Sequence, residues 1–282
     1  MLFRSLPTSG IDFAVVGSPG GTSPGGACTG FCNLISGNYG PWLNGGSVFK
    51  SGLGFGLIIN NYIGTNAAGD AALPNETGPN AYYGAALIGA VFGDGQGGEI
   101  AAGTLISGNY AAGAIMQAMD GGGLFWIKGN TFGLSSDGLS AIPNGVGGTE
   151  SSSIAVNAQG GTSVLVGGTG PLDRNYLTHG TSDGTGQRGN GMNLIAFSST
   201  IAVQGNRIGV DTHGLAAPNS GVGIKAAGEG RILIGGGGAG SDNIIANNGG
   251  NGVFIYNYTG PFSQLKTSGV TVRQNVISNN GG

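Results

Sequence analysis

The chain has 282 residues, of which 64 are glycine and only 8% are charged, and ten Lys or Arg against thirteen Asp or Glu leave a net charge of −3. Regularly spaced aliphatic residues exclude a disordered polyelectrolyte, and the missing G-x-y period excludes a collagen. The cations are scattered rather than arrayed in a stripe that tracks phosphates, which argues against nucleic acid as a partner, and no run of eighteen apolar residues is present to cross a bilayer as a helix.

Taken in chain order, Met1-Leu2-Phe3-Arg4 runs into Pro7, Ser9 and Gly10 without the apolar region of a signal peptide, so export would be encoded outside this chain. Cys28 and Cys32 follow in a Gly-rich turn; either a local disulfide, which suits an oxidising compartment, or two buried thiols fit that spacing. From there on, short apolar runs bracketed by Gly, Asn, Ser, Pro and Asp predict strands separated by turns, with no amphipathic helix.

A long phrase then recurs. Asn33-Leu34-Ile35-Ser36-Gly37-Asn38 returns at Thr104–Asn109, more weakly at Asn175–Gly180, and at Asn243–Asn248, with a nearly constant step. A second phrase, I-x-x-N-x-I, centres on Asn61, Asn130, Asn206 and Asn275, and a third, an apolar residue then Gly, marks Val16, Ile88, Val166 and Ile234. One superperiod near seventy underlies all three, as expected of stacked units in a solenoid.

Such a superperiod divides into three coils of about 23, the length of one circuit of three short strands and three turns. The expected fold is therefore an all-β, right-handed, single-stranded parallel β-helix of about 12 coils, a rod roughly 58 Å long at the interstrand spacing. Asn61, Asn130, Asn206 and Asn275 then sit at bends as structural residues, because Asn tolerates left-handed backbone and its amide can bond a neighbouring coil. Loops after Ile63, Phe132 and Ile208 end in Pro-Asn at Asn75, Asn144 and Asn219, and should project in a row on one side as a contact surface.

The phrases at 33–38 and 61–66, the A-x-P-N turns and the 164–171 stretch V-L-V-G-G-T-G-P resemble the right-handed parallel β-helix repeats of bacterial extracellular and surface proteins, within the pectin-lyase-like superfamily. The resemblance covers nearly the whole chain and implies a cell-surface location. It implies no single activity, since that architecture carries lyases, hydrolases, adhesins and spacers. The N-T-D, D-D, G-H-G and R-I-K signatures of polygalacturonases do not occur.

Candidate chemistry is sparse. With coils of that length, two acid series would stack, Glu76, Glu99 and Asp120, or Asp70, Asp94 and Asp120, with calcium the candidate cation. Asp94-Gly95-Gln96-Gly97-Gly98 resembles a single calcium-binding turn. The densest polar patch, Asp173, Arg174, His179, Asp183 and Arg188, supplies the candidate catalytic groups; His179 has flanking acids, whereas His213 lies in a turn. Tyr39, Tyr110 and Trp42 are candidate sugar-stacking rings.

Residues 1–282 thus read as one β-helix domain, a segment of a longer protein with both ends incomplete, whose bare coils invite end-to-end self-association. The functional expectation is a non-enzymatic extracellular spacer or adhesive module, with surface polysaccharide or other surface proteins as partners and no cofactor unless calcium. Its rival is a polysaccharide lyase or glycoside hydrolase of the same fold.

Overall fold

The computed structural model describes residues 13–19, 25–38, 55–81, 84–118, 122–147, 152–181, 189–259 and 264–282. Three parallel sheets run the length of these residues, and the chain visits them in turn. The first contains Phe13–Val16, Phe55–Ile58, Ala85–Ile88, Leu124–Ile127, Ser163–Gly167, Thr200–Gln204, Arg231–Gly235 and Val270–Arg273. The second contains Asn33–Ile35, Asn61–Ile63, Leu105–Ile106, Thr131–Phe132, Tyr176–Leu177, Arg207–Ile208, Ile244–Ala246 and Val276–Ser278. The third contains Asn80–Ala81, Ala114–Ala118, Ser152–Ala158, Asn190–Ala196, Ile224–Gly228 and Val253–Ile255. The chain is a parallel β-helix.

Alternation along each strand sends every second side chain inward, and in a solenoid those side chains pile up along the axis. In the first sheet Ile58, Ile88, Ile127, Val166, Val203 and Ile234 are successive register partners, all at most 1% exposed. Ile63, Ile106, Phe132, Leu177, Ile208 and Ile245 form the matching column of the second sheet, and Met116, Val156, Leu194 and Ala226 that of the third. The three columns merge into one apolar core. Polar residues are confined to corners and outer faces because the core has no partner to offer them.

Coil number departs from the sequence expectation. Each step along the first column, from Ile58 to Ile88 and from Ile88 to Ile127, is one full coil, so the superperiod that carries Ile58 to Ile127 holds two coils, not three. The same count holds from Ile127 through Val166 to Val203, and from Val203 through Ile234 to Val272. The two phrases are the same corner in alternate coils: Asn33 pairs with Asn61, Leu34 with Tyr62 and Ile35 with Ile63. Eight strands of the first sheet span about 34 Å at the interstrand spacing, shorter than a twelve-coil rod. The extra length per coil goes into the connections, chiefly those between the second and third sheets.

Buried asparagines hold two of the corners. Where the chain turns from the first sheet to the second, Asn33 donates through Nδ2 to Asn61 Oδ1 at 2.9 Å, and Asn130, Asn175, Asn206, Asn243 and Asn275 repeat the contact at 3.1, 2.9, 3.1 and 2.8 Å. Thr104 interrupts this ladder, but its amide still donates to Asn130 Oδ1. After the second sheet a further ladder joins Asn38, Asn75, Asn109 and Asn144, breaks at Gly180, and resumes through Asn219, Asn248 and Asn280. Each amide also closes the turn: Asn61 Nδ2, for example, donates to Val16 O and Ile59 O. Buried corner carbonyls are thereby satisfied without water.

Candidate functional site

Alternate coils lengthen after the second-sheet strand into three small hairpins. Thr65 bridges Ala72, Leu134 bridges Ala141 and Val210 bridges Ala216, each antiparallel. The turns close identically, with Gly69 N–H donating to Asn66 O, Gly138 to Ser135 O and Gly214 to Asp211 O. All three glycines take φ between 72° and 81°, a region open to glycine at little cost.

The hairpins touch one another across two coils. Ser136 N–H donates to Gly69 O at 2.8 Å and its hydroxyl to Ala68 O, while the Thr212 hydroxyl donates to Gly138 O at 3.2 Å. They form a continuous row above the outer face of the second sheet. A disulfide joins Cys28 to Cys32, and its loop closes one end of the row: Cys28 N–H donates to Ala67 O at 2.7 Å, and the Tyr62 hydroxyl donates to Gly26 O. Burial raises the Tyr62 phenol above its ordinary range, against the opposing hydrogen bonds from Ser136 and to the Gly26 and Gly25 backbone.

Between this row and the sheet lies a cleft of about 340 Å³. Thr131 and Tyr176 line its sheet side, Ser136, Asp137, Gly138 and Thr212 its hairpin side, and Arg174 and Leu172 the adjoining corner. Asp137 is committed locally, accepting from the Ser135 hydroxyl and Leu139 N–H, which holds its carboxyl below the usual range. Arg174 donates through Nε to Gly205 O at 3.3 Å. Beside Tyr176 in register stands Arg207, whose basicity is lowered by burial and then by the Arg174 charge, with Asp242 and Tyr176 opposing. A mixed polar and aromatic cleft of this size suits a small polar group or the end of a larger ligand.

The candidate catalytic patch is not assembled. Asp173 lies before the Tyr176–Leu177 strand and pairs with Lys128 at 3.1 Å, one coil away. His179 follows that strand at the opposite corner, with φ 48°, in the position held by Gly108 and Asn247 in other coils. Burial lowers its basicity, and the charge that acts on it is that of Asp211 rather than Asp173. Asp183 and Arg188 lie outside the described residues. A whole strand and a bend thus separate the acid from the imidazole, which prevents them from sharing a proton.

Among the described residues neither acid series stacks, because its members fall on unlike elements. Glu76 stands on a connection from the second to the third sheet, Glu99 in the antiparallel ribbon Val91–Gly93 with Glu99–Ala101, and Asp120 outside the described residues. Asp70 sits on the first hairpin, where it accepts from Asn66 Nδ2. Asp94 closes the ribbon's turn by accepting from Gln96 and Gly98 N–H at 2.7 and 2.8 Å, which lowers its carboxyl pKa. The carboxylate thus caps the amides of the Gly-rich turn. Among the described residues no three His, Cys, Asp or Glu side chains gather closely enough to hold a metal ion.

Neither a protein family, nor a curated protein, nor a solved structure matches this chain. Of the aromatic candidates, Tyr39 and Trp42 lie outside the described residues, and Tyr110, 37% exposed, packs beside Gly147. No helix among the described residues is long and apolar enough to cross a membrane.

Proposed function

We propose that this chain is a β-solenoid of the cell exterior, a spacer and adhesive module that contacts surface polysaccharide through its hairpin row. Kinship with bacterial surface proteins of the pectin-lyase-like superfamily belongs to the same proposal and rests on the repeat motifs. The observation that carries it is the direct bonding of the hairpins to one another, Ser136 to Gly69 and Thr212 to Gly138. Three loops held in register by each other make a surface with one repeated shape, which suits a repeating ligand.

The disulfide that closes the row supports an oxidising location. A carbohydrate-active enzyme is the weaker reading, because Lys128 occupies Asp173 and His179 faces another corner.

The test is retention of the protein on immobilised bacterial surface polysaccharides. Retention that falls on Arg174→Ala or Tyr176→Ala, with folding intact, is the expected result. No retention on any polysaccharide would count against adhesion, and unsaturated product released from polygalacturonate would favour the enzyme.

A further inference from the structure

The outer face of the third sheet is separate from the hairpin row and carries a composition of its own. Reading across register partners, one line runs Ile115, Ala155, Asn193, Lys225, Phe254, and the line beside it runs Gln117, Asn157, Ile195, Ala227, with Tyr256 next. Ile115, Gln117, Ala155, Asn157, Asn193 and Ile195 line a shallow trough of about 100 Å³. Asn193 Oδ1, in that trough, has no hydrogen-bond partner. Leaving a carbonyl oxygen unpaired costs stability unless something else serves it.

At the far end of the same face the side chains become aromatic. Phe254 and Tyr256 project from one side of the strand, as residues two apart do, and their rings are parallel within 3° at 6.1 Å. Phe254 is 41% exposed. Lys225 places its ammonium 4.6 Å from the Tyr256 ring centre and makes no ion pair among the described residues. Phe197 and Tyr258 add an edge-to-face pair at the next corner. None of these rings is needed for the core, which lies on the other side of the sheet.

We infer that this face is a second binding site, one that takes a linear oligosaccharide, with a pyranose ring on Phe254 and neighbouring sugar hydroxyls on Lys225, Asn193 and Asn157. The chemistry is complementary on each count. Pyranose rings have apolar C–H faces that lie on aromatic planes, and hydroxyls pair with amides and an ammonium. From the Gln117 coil to the Tyr256 coil the face is roughly 19 Å long at the interstrand spacing, enough for several sugar units in an extended chain. The inference does not depend on the hairpin row, which lies over a different sheet.

The experiment is titration of the intact chain with cellohexaose, xylohexaose, chitohexaose, maltohexaose and hexagalacturonate, followed by the NMR resonances of Phe254 and Tyr256 rings and the Asn193 side-chain amide. At least one hexasaccharide should shift all three saturably. Phe254→Ala and Lys225→Ala, checked for folding by circular dichroism, should each weaken that binding by about tenfold, the usual scale of one lost stacking or charge-assisted contact, and Arg174→Ala in the hairpin cleft should leave it unchanged. Absence of saturable shifts with all five sugars overturns the inference, as does binding that Phe254→Ala leaves unweakened or that is lost on Arg174→Ala.

Discussion

Asn175 and Asn206, one coil apart, share a hydrogen bond of 2.9 Å, with both side chains fully buried. Asn206 Oδ1 also accepts from Asn175 N–H, while its Nδ2 donates to Val166 O, Gln204 O and Asn243 Oδ1. One amide thus ties three successive coils together. Asn206→Ala should destabilise the protein by about 3 kcal/mol, since several net bonds are lost and buried carbonyls are left unpaired. Denaturant unfolding with the slope checked for constancy measures this, and a change below about 0.5 kcal/mol would show the ladder to be decoration.

The break in the second ladder has a steric cause. A Cβ on Gly180 would meet Asn190 O and Gly189 C and O at 2.9 Å, closer than real Cβ contacts. Gly180→Asn should therefore fail to extend the ladder and instead destabilise the protein, by about 1–3 kcal/mol as overpacking does. Stabilisation, read as a higher unfolding midpoint, would mean that the 189–190 backbone yields easily.

His179 makes stability depend on pH. Burial lowers its folded pKa below the ordinary 6.5, so the folded state favours neutral imidazole, and Asp211 only partly opposes this. As pH falls below 6.5 the unfolded chain takes up the proton first; the contribution is complete above that value and is lost as pH falls through the lowered folded value. His179→Asn, which suits the left-handed backbone as Asn247 does at φ 62°, should flatten the fall in melting temperature as pH drops below 6.5. Identical pH profiles for both proteins would remove His179 from the account.

Cys28→Ser with Cys32→Ser should loosen the loop without unfolding the coils, because the loop lies outside the core and is tied to the body through Cys28 N–H and the Tyr62 hydroxyl. Freed from that cover, the Tyr62 phenol should titrate lower, toward its ordinary value of 10.0. Ultraviolet titration of the tyrosines reads this directly, and an unaltered titration curve would show that the disulfide does not hold the loop in place.

Much of the architecture was legible in the residues. Ile63, Phe132 and Ile208, with the asparagines two positions earlier, mark an inward side chain after a corner, and the winding follows from their recurrence. The coil number was not legible, because Asn33 and Asn61 look like different phrases: one is followed by Ser-Gly-Asn, the other by a hairpin. Alternating insertions masked the equivalence that backbone register reveals. The acid series failed for the same reason, since it assumed three coils in each superrepeat where there are two.

Charge clustering in sequence misled at Asp173 and His179, which one short strand, Tyr176–Leu177, carries to opposite corners. The third-sheet face escaped notice because Asn193, Lys225 and Phe254 are neighbours only through register. Phe254 and Tyr256, alternating with Ile255, were its one local signal.

The winding itself is tested most directly by paired cysteines on outer faces. Leu165 and Ala202 are register partners one coil apart, within disulfide reach at the interstrand spacing, whereas Ala202 and Lys225, spaced as a three-coil superrepeat would require of neighbours, lie on different sheets. Leu165→Cys with Ala202→Cys should cross-link within the monomer on mild oxidation, as seen by peptide mass mapping, and Ala202→Cys with Lys225→Cys should not. The reverse pattern would contradict two coils per superrepeat and the asparagine ladders built on them.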